Sequence, residues 1–319
     1  MVERAKKPSA IPISPTSNTP QPVVDISEDG GRVTARLPTG ESVEVLLHGA
    51  TVISWKCGGQ ENLWLSDAAV LDGSKPVRGG IPVVFPVFGP PPKDHATSAL
   101  PQHGLARNVR WEFLGKSTSE SDVVKGSDDS VKLDFGLYST AVPEELRKKW
   151  PYDFGLVYSV TLSRDSLQTV MQVRNEGKEA FEFQILLHTY LRIDDITTTT
   201  VNGLGSATYT DKVLNATQHQ QTTPTVSVTG EIDRVYHNLK QSTTSVLAAG
   251  KPRFDVIRDN MNDTVVWNPW IEKAKGMGDF EPKDGYKKMI CIEAGAVSEW
   301  TKLDAGEGWE GGQVIKALL

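Results

Sequence analysis

EAFEFQILLHTYLRID, residues 179–194, alternates apolar and polar side chains over most of its length. In an extended strand, successive side chains point to opposite faces. Phe181, Phe183, Ile185, Leu187, Leu191 and Ile193, with Thr189, then share one face. Glu182, Gln184, His188, Tyr190 and Arg192, with Leu186, share the other. The spacing predicts one long strand with a core face and a polar face centred on His188. Taken alone, this strand leaves two readings of the histidine: an ordinary imidazole on a solvated face, or a functional group in a cleft.

The same period continues on both sides. GRVTARLP and ESVEVLLHG flank the turn TGE and predict a hairpin, and FGLVYSVTLS and LQTVMQVRN flank RDS and predict another. Further strands are expected near 231–238, 254–258, 264–267, 288–294 and 312–318. One short helix is expected at VPEELRKKW, with Pro143 near its start. No helical periodicity is long enough to build alternating βαβ units, so the expected class is all-β, a sandwich or barrel. Residues 1–24 are rich in Pro, Ser and Thr and are expected to be a disordered tail, with residues 25–319 forming one catalytic domain.

Composition narrows the function classes. Among 319 residues, 38% are apolar and 23% charged, as in a soluble globular protein, and the formal net charge is −6. That balance argues against a general nucleic-acid binder, which needs a broad basic surface. The N-terminal segment lacks the apolar run of a signal peptide or a membrane span, so a cytoplasmic protein without a membrane partner is expected. Two cysteines, Cys57 and Cys291, give no disulfide framework, and Cys291 reads as a small core residue. The six histidines show no metal-ligand spacing, and neither a nucleophile elbow nor a dinucleotide fingerprint follows a strand.

Several residues stand out chemically. Glu293 is the only acid in the apolar strand KMICIEAG; a carboxyl there must be paired or have its pKa raised. It is either a strand-end acid touching water or a general base. Arg78 precedes two glycines in RGGIPVVFPVFG, where the backbone can bend tightly towards a ligand. Its guanidinium suits either a surface ion pair or an anion such as phosphate. PQHGLARNVRW (residues 101–111) crowds Gln102, His103 and Arg107 around Gly104, whose turn can aim Gln102 and Arg107 into one site. Asp233 stands next to Arg234. Trp267 and Trp270 flank Asn-Pro and either stack on a sugar face or plug a loop, which keeps Trp267 as a candidate sugar contact.

Together RGGIPVVFPVFG, QHGLARNVRW, LLHTYLRI, EIDRVYHN, VVWNPWIEKAKGMGDF and CIEAGAV resemble the aldose 1-epimerase, or galactose mutarotase-like, superfamily, and within it the hexose-6-phosphate mutarotase branch. The motifs span most of residues 30–319. The resemblance implies a large wrapped β-sandwich, the supersandwich, with a central cleft. It implies His188 as general acid, Glu293 as general base, and Arg78, Gln102, Arg107 and Asp233 as substrate-binding residues. His103 is similar to a second site histidine of the wider superfamily. It further implies a monomer acting on a hexose 6-phosphate with no cofactor.

The chemistry agrees with that implication. Exchange of anomers takes a proton from the C1 hydroxyl and gives one to the ring oxygen, and a Glu–His pair can be tuned to do both near neutral pH. No metal, nucleotide or covalent intermediate is required. Two alternatives remain open from sequence. One is a glycoside hydrolase or lyase on a similar sandwich, with Asp233 as the second acid. The other is a non-catalytic sugar-phosphate-binding protein, which would have no use for the acid–base pair.

Overall fold

The computed structural model describes residues 20–118 and 130–318. It is built almost wholly of antiparallel strands. Among the described residues, one sheet of nine strands runs in the order Thr225–Ser227, Thr199–Asn202, Thr243–Ala248, Lys251–Asp259, Gly308–Ala317, Ser166–Asn175, Phe154–Leu162, Val131–Tyr138 and Glu112–Thr118. A second, of eight strands, runs Thr217–Gln220, Thr208–Asp211, Ile232–Tyr236, Asp263–Asn268, Met289–Leu303, Phe181–Leu187 and Val83–Val84, with Tyr190–Arg192 also paired to Met289–Leu303. A third carries Val23–Ile26, Arg32–Arg36, Ser42–Leu46, Thr51–Cys57 and Gln60–Glu61. This is the multi-sheet β-sandwich that the period-two pattern predicts.

Both expected hairpins form, Arg32–Arg36 with Ser42–Leu46 and Phe154–Leu162 with Ser166–Asn175. Arg32–Arg36 and Ser166–Asn175 alternate buried and less buried residues, because one face meets the core, while Phe154–Leu162 is buried over most of its length. One apolar cluster draws on all three sheets, with Trp55, Phe85, Trp150, Phe154, Phe181 and Phe183 among its members. Phe85 and Trp150 meet edge-on with centroids 5.6 Å apart, and Trp150 meets Phe181 at 5.1 Å. Each large apolar side chain so buried stabilises the fold by about 1.5–3 kcal/mol.

Several expectations need correction. The strand predicted over 179–194 is interrupted: Phe181–Leu187 and Tyr190–Arg192 are separate, with His188 and Thr189 between them. The register survives the interruption, with Leu187 opposite Ala294 before it and Tyr190 opposite Cys291 after it. Backbone bonds carry the pairing through the break, His188 N donating to Pro82 O at 3.0 Å and Tyr190 N to Gly80 O at 2.9 Å in the register of Leu186 with Val84. The middle of this strand's polar face is not solvated either, although Glu182 and Arg192 at its ends are exposed. Leu186 and Tyr190 are buried in a second apolar cluster with Trp64, Val265, Trp267, Phe280 and Cys291.

The helix expected at VPEELRKKW is a single turn, Glu144–Arg147. A helix that the periodicity does not announce, Trp270–Gly276, follows Asn268-Pro269, so Trp270 lies on a helix rather than in a loop. Of the expected tail, residues 1–19 lie outside the described residues, while residues 23 and 24 already pair with Arg36 and Ala35. No helix among the described residues is long and apolar enough to cross a membrane.

Candidate active site

Strand register assembles the site. Asp233 pairs with Trp267, Trp267 with Cys291, and Cys291 with Tyr190, which sets four side chains in a row across four strands. Glu293 lies two residues beyond Cys291 on the same face. The ladder at Leu187↔Ala294 carries His188 to the position across from Glu293. There His188 Nδ1 lies 3.2 Å from Glu293 Oε1. His188, Glu293, Asp233 and Trp267 line a cleft of about 320 Å³ together with Arg78, Gln102, His103, Lys212 and Lys273, while Cys291 and Tyr190 are buried.

Two glycine segments bring the remaining groups in. Gly79 and Gly80, at φ +121° and +66°, press the Arg78 loop onto its neighbours; a Cβ at Gly80 would sit 2.1 Å from Val52 O. Gly104, at φ +74°, packs as tightly against Phe85 O. His103 precedes it with a positive φ of 66°, a conformation sparsely populated by residues other than glycine. Its Nδ1 accepts from Gly89 N at 3.2 Å, so the proton of the neutral ring sits on Nε2. The run from Gln102 to Arg107 is thus a turn followed by the short 3-10 helix Ala106–Asn108.

Burial dominates the electrostatics. Glu293 is 1% exposed, and both of its carboxyl oxygens lack a hydrogen-bond partner, as does the buried His188 Nδ1. Burial, seconded by the charge of Asp233, holds the Glu293 carboxyl well above its ordinary pKa, with Lys212 pulling the other way. Burial and the charges of Arg107 and Arg78 hold His188 well below its own. Both shifts favour one proton on the pair, carried by the carboxyl. Asp233 is raised by burial too, against the pull of Lys212. His103 is kept neutral by burial and by Arg107.

His188 is gripped by rings: it stacks on Tyr190 at 4.7 Å and 9°, and meets Trp267 edge-on at 5.9 Å and His103 at 5.9 Å. Trp267 therefore lines the cleft beside the imidazole rather than merely plugging a loop. Behind His188, Gln313 of the facing sheet donates through Nε2 to Thr189 Oγ1 at 2.8 Å, and Thr189 Oγ1 donates to Leu187 O at 3.2 Å. This bridge crosses an otherwise apolar core and pins the interruption that aims the imidazole.

The arginines differ in their state. Arg78 is already engaged, its Nε 3.2 Å from Asp279 Oδ1, its Nη2 3.2 Å from Asp279 Oδ2, and its Nη1 donating to the Tyr190 hydroxyl at 3.2 Å. Arg107 donates through Nη2 to Gln102 O at 2.9 Å, while its buried Nε has no partner. Burial, together with the neighbouring Arg78, lowers its pKa to about 10 despite the opposing pull of Tyr190, so it stays charged at neutral pH and gains most from an arriving anion. Lys212 Nζ lies 3.7 Å from the Phe88 ring.

Of the residues singled out in the sequence, Arg78, Gln102, His103, His188, Asp233, Trp267 and Glu293 thus line one cleft and Arg107 bonds to Gln102 beside it, while Trp270 packs against Tyr286 instead. Tyr190, Lys212, Lys273 and Asp279 were not among them. Tyr190 lies on the right face of the opening stretch and Asp279 within GMGDF, but nothing in the local pattern of TDKVL marks Lys212. A larger recess of about 710 Å³, lined in part by Thr208, His237 and Ser298, lies elsewhere. Its His237 is spent on Thr210 Oγ1 at 2.7 Å and Ser298 Oγ at 2.6 Å, so it offers no free acid–base pair like the first.

A multi-sheet β-sandwich whose cleft holds two imidazoles, a buried carboxyl and cationic groups is the architecture of a sugar-converting enzyme of the mutarotase kind. The aldose 1-epimerase family model matches residues 31–316. A Cenchrus ciliaris protein named "Putative glucose-6-phosphate 1-epimerase" is 32% identical over 279 residues, covering 86% of this chain and 81% of its own. An Escherichia coli protein of the same name is 34% identical over 258 residues, covering 81% and 80%. The crystal structure of a Salmonella typhimurium protein titled "putative mutarotase" superposes with a TM-score of 0.77 at 28% identity, covering 89% of each chain. The chain belongs to the aldose 1-epimerase family, and it is an epimerase acting on carbohydrate.

Proposed function

We propose that the chain interconverts the α and β anomers of a hexose 6-phosphate, with His188 and Glu293 as the proton-transfer pair. The observation that carries this reading is the 3.2 Å approach of His188 Nδ1 to Glu293 Oε1 in a cleft that also presents Arg78, Gln102 and Lys212, with Arg107 beside it. The cleft volume falls within the ~300–1,000 Å³ usual for small-molecule sites. The names of the Cenchrus and Escherichia relatives point to the same substrate class.

In the empty cleft the shared proton rests on Glu293. A bound pyranose supplies the hydrogen bonds that the two carboxyl oxygens lack, which favours the carboxylate and moves the proton to His188. Glu293 then takes the proton of the C1 hydroxyl, the C1–O5 bond breaks, and His188 gives its proton to O5. Rotation about C1–C2 presents the other face of the aldehyde. Ring closure reverses both transfers and returns the pair to its starting state. Each member contributes about 10²–10⁴-fold.

Arg107, whose Nε is unpartnered, and Arg78, steadied by Asp279, supply paired donors for phosphate oxygens. Held far from C1, the phosphate keeps the ring in register with the pair. His103 Nε2, Gln102, Asp233 and Trp267 meet the hydroxyls and one face of the ring. This reading describes a cytosolic monomer that uses no cofactor. The test is anomerisation of freshly dissolved α-glucose 6-phosphate beside α-galactose, with reducing-sugar release from oligosaccharides as a control. Fast conversion of the phosphate ester alone, with no release, is expected. Equal rates on both sugars, or release of sugar, would sink the substrate assignment.

A further inference from the structure

Cys291 has no part in the proton transfers, yet it lies with the pair that performs them. It is fully buried, directly across the ladder from Tyr190 and two residues from Glu293 on the same face. One nitrogen of His188, the Cys291 sulfur and one Glu293 oxygen all fall within 4.8 Å of one another. Glu293 Oε1, Glu293 Oε2 and His188 Nδ1 are buried without hydrogen-bond partners. A nitrogen, a sulfur and an oxygen donor, two of them unsatisfied, meet where His188 and Glu293 line the cleft, the sulfur buried beneath its surface.

We propose that Cys291, His188 and Glu293 form a three-donor site for a thiophilic divalent cation, Zn²⁺ in the first instance, and that filling it silences the enzyme. Tetrahedral zinc takes Cys, His and carboxylate ligands at ~2.0–2.3 Å, which sets donor pairs roughly 3.3–3.6 Å apart. The pair His188 Nδ1–Glu293 Oε1 already stands at 3.2 Å, and the widest separation needs to close by only about 1 Å. Charge balances on binding: the thiol loses its proton, the acid–base pair loses the one it shares, and Zn²⁺ with one thiolate, one carboxylate and a neutral imidazole is electrically neutral. A neutral complex is what a buried floor tolerates. The fourth position faces the cleft. Mg²⁺, which demands oxygen ligands and octahedral geometry, does not fit.

Filling the site ties up both proton-transfer groups, so zinc excludes productive binding of the sugar and acts competitively. The site stands on donor geometry; that filling it stops anomerisation rests on the acid–base reading above. The experiment titrates buffered free Zn²⁺, in parallel with Mg²⁺, against wild type, Cys57→Ala and Cys291→Ala. Binding is read by calorimetry, and each protein's rate is scored against its own metal-free rate. Wild type and Cys57→Ala should bind zinc and lose activity reversibly on chelation. Cys291→Ala should need more than ~10-fold higher zinc for the same effect, since even outer-shell partners of a metal are worth ~10–100-fold. Should Cys291→Ala not fold, the Cys57→Ala protein titrated with Cd²⁺ should develop an ultraviolet thiolate-to-cadmium band that can come only from Cys291. Equal zinc response in wild type and Cys291→Ala, or no cadmium band, overturns the proposal. Zinc binding that depends on Cys291 but leaves the wild-type rate intact would support the site and sink the acid–base pair instead.

Discussion

His188, in the break between Phe181–Leu187 and Tyr190–Arg192, and Glu293, on Met289–Leu303, meet at 3.2 Å with no other partner for the facing atoms. An isolated pair of this kind is unfavourable for stability, because neither group is solvated and neither is otherwise hydrogen-bonded. Its presence in a cleft is what gives the site its chemistry.

Glu293→Gln and His188→Asn should each lower kcat by about 10²–10⁴-fold. The double variant should be little worse than either single one, because the two groups act as a unit. Steady-state anomerisation rates for the three variants provide the check; additive losses would show independent roles.

Glu293→Gln should also melt higher than wild type at neutral pH. The folded carboxyl is raised well above its ordinary value of 4.5 by burial, so it holds its proton more tightly folded than unfolded. Its contribution to stability is therefore complete below the unfolded pKa and is lost as pH rises through the raised folded value. The advantage of the variant should be small near pH ~4 and grow towards neutrality. Melting temperatures at both pH values decide it, and a gap that shrinks as pH rises would contradict the assigned direction.

Arg107→Ala should raise KM for hexose 6-phosphate by about 10–100-fold, the worth of a charge-assisted hydrogen bond of about 1.5–3 kcal/mol. The unphosphorylated hexose should be nearly unaffected. Asp279→Asn should act the same way but more weakly, because it only steadies Arg78. KM values for both sugars give the answer, and parallel changes on the two would make these residues structural.

Gln313→Leu removes the donor that holds Thr189 behind the catalytic imidazole. It should lower kcat by up to ~10²-fold, the cost of a misplacement of about 1 Å, while leaving KM for the phosphate ester in place. Gln313→Glu can donate to the Thr189 hydroxyl only while its carboxyl is protonated, so it should recover part of the loss at low pH and less as pH rises. A variant changed in KM alone would place Gln313 outside the alignment of His188.

Much of this was legible in the sequence, for identifiable reasons. The strands follow from side-chain alternation against a core, and Glu293 stood out as one acid in an apolar run. Arg78, Gln102 and His103 sit within two residues of Gly79, Gly80 or Gly104, which the sequence displays, although the close approach of those glycines to Val52, Trp64 and Phe85 is tertiary. What escaped is tertiary. The polar face of residues 179–194 resembles a solvated face until the Trp270–Gly276 helix and the segment carrying Phe280 and Tyr286 are seen to cover that side of the sheet. Lys212 reaches the cleft from a turn without pattern, and the Asp279–Arg78 contact joins segments 201 residues apart. At the break His188 bonds to Pro82 and Thr189 to Gln313, partners that no window around residue 188 contains.

The central claim is that the C1–O5 bond opens while the C1 hydroxyl oxygen stays in place. Hexose 6-phosphate carrying heavy oxygen at C1 tests it, with wild-type enzyme in ordinary water and label content followed by mass spectrometry as the anomers equilibrate. The ring-opening account predicts full anomeric equilibration with the label retained. Loss of label to solvent in step with anomerisation would mean that C1–O1 breaks instead, and the roles given to His188 and Glu293 would be wrong.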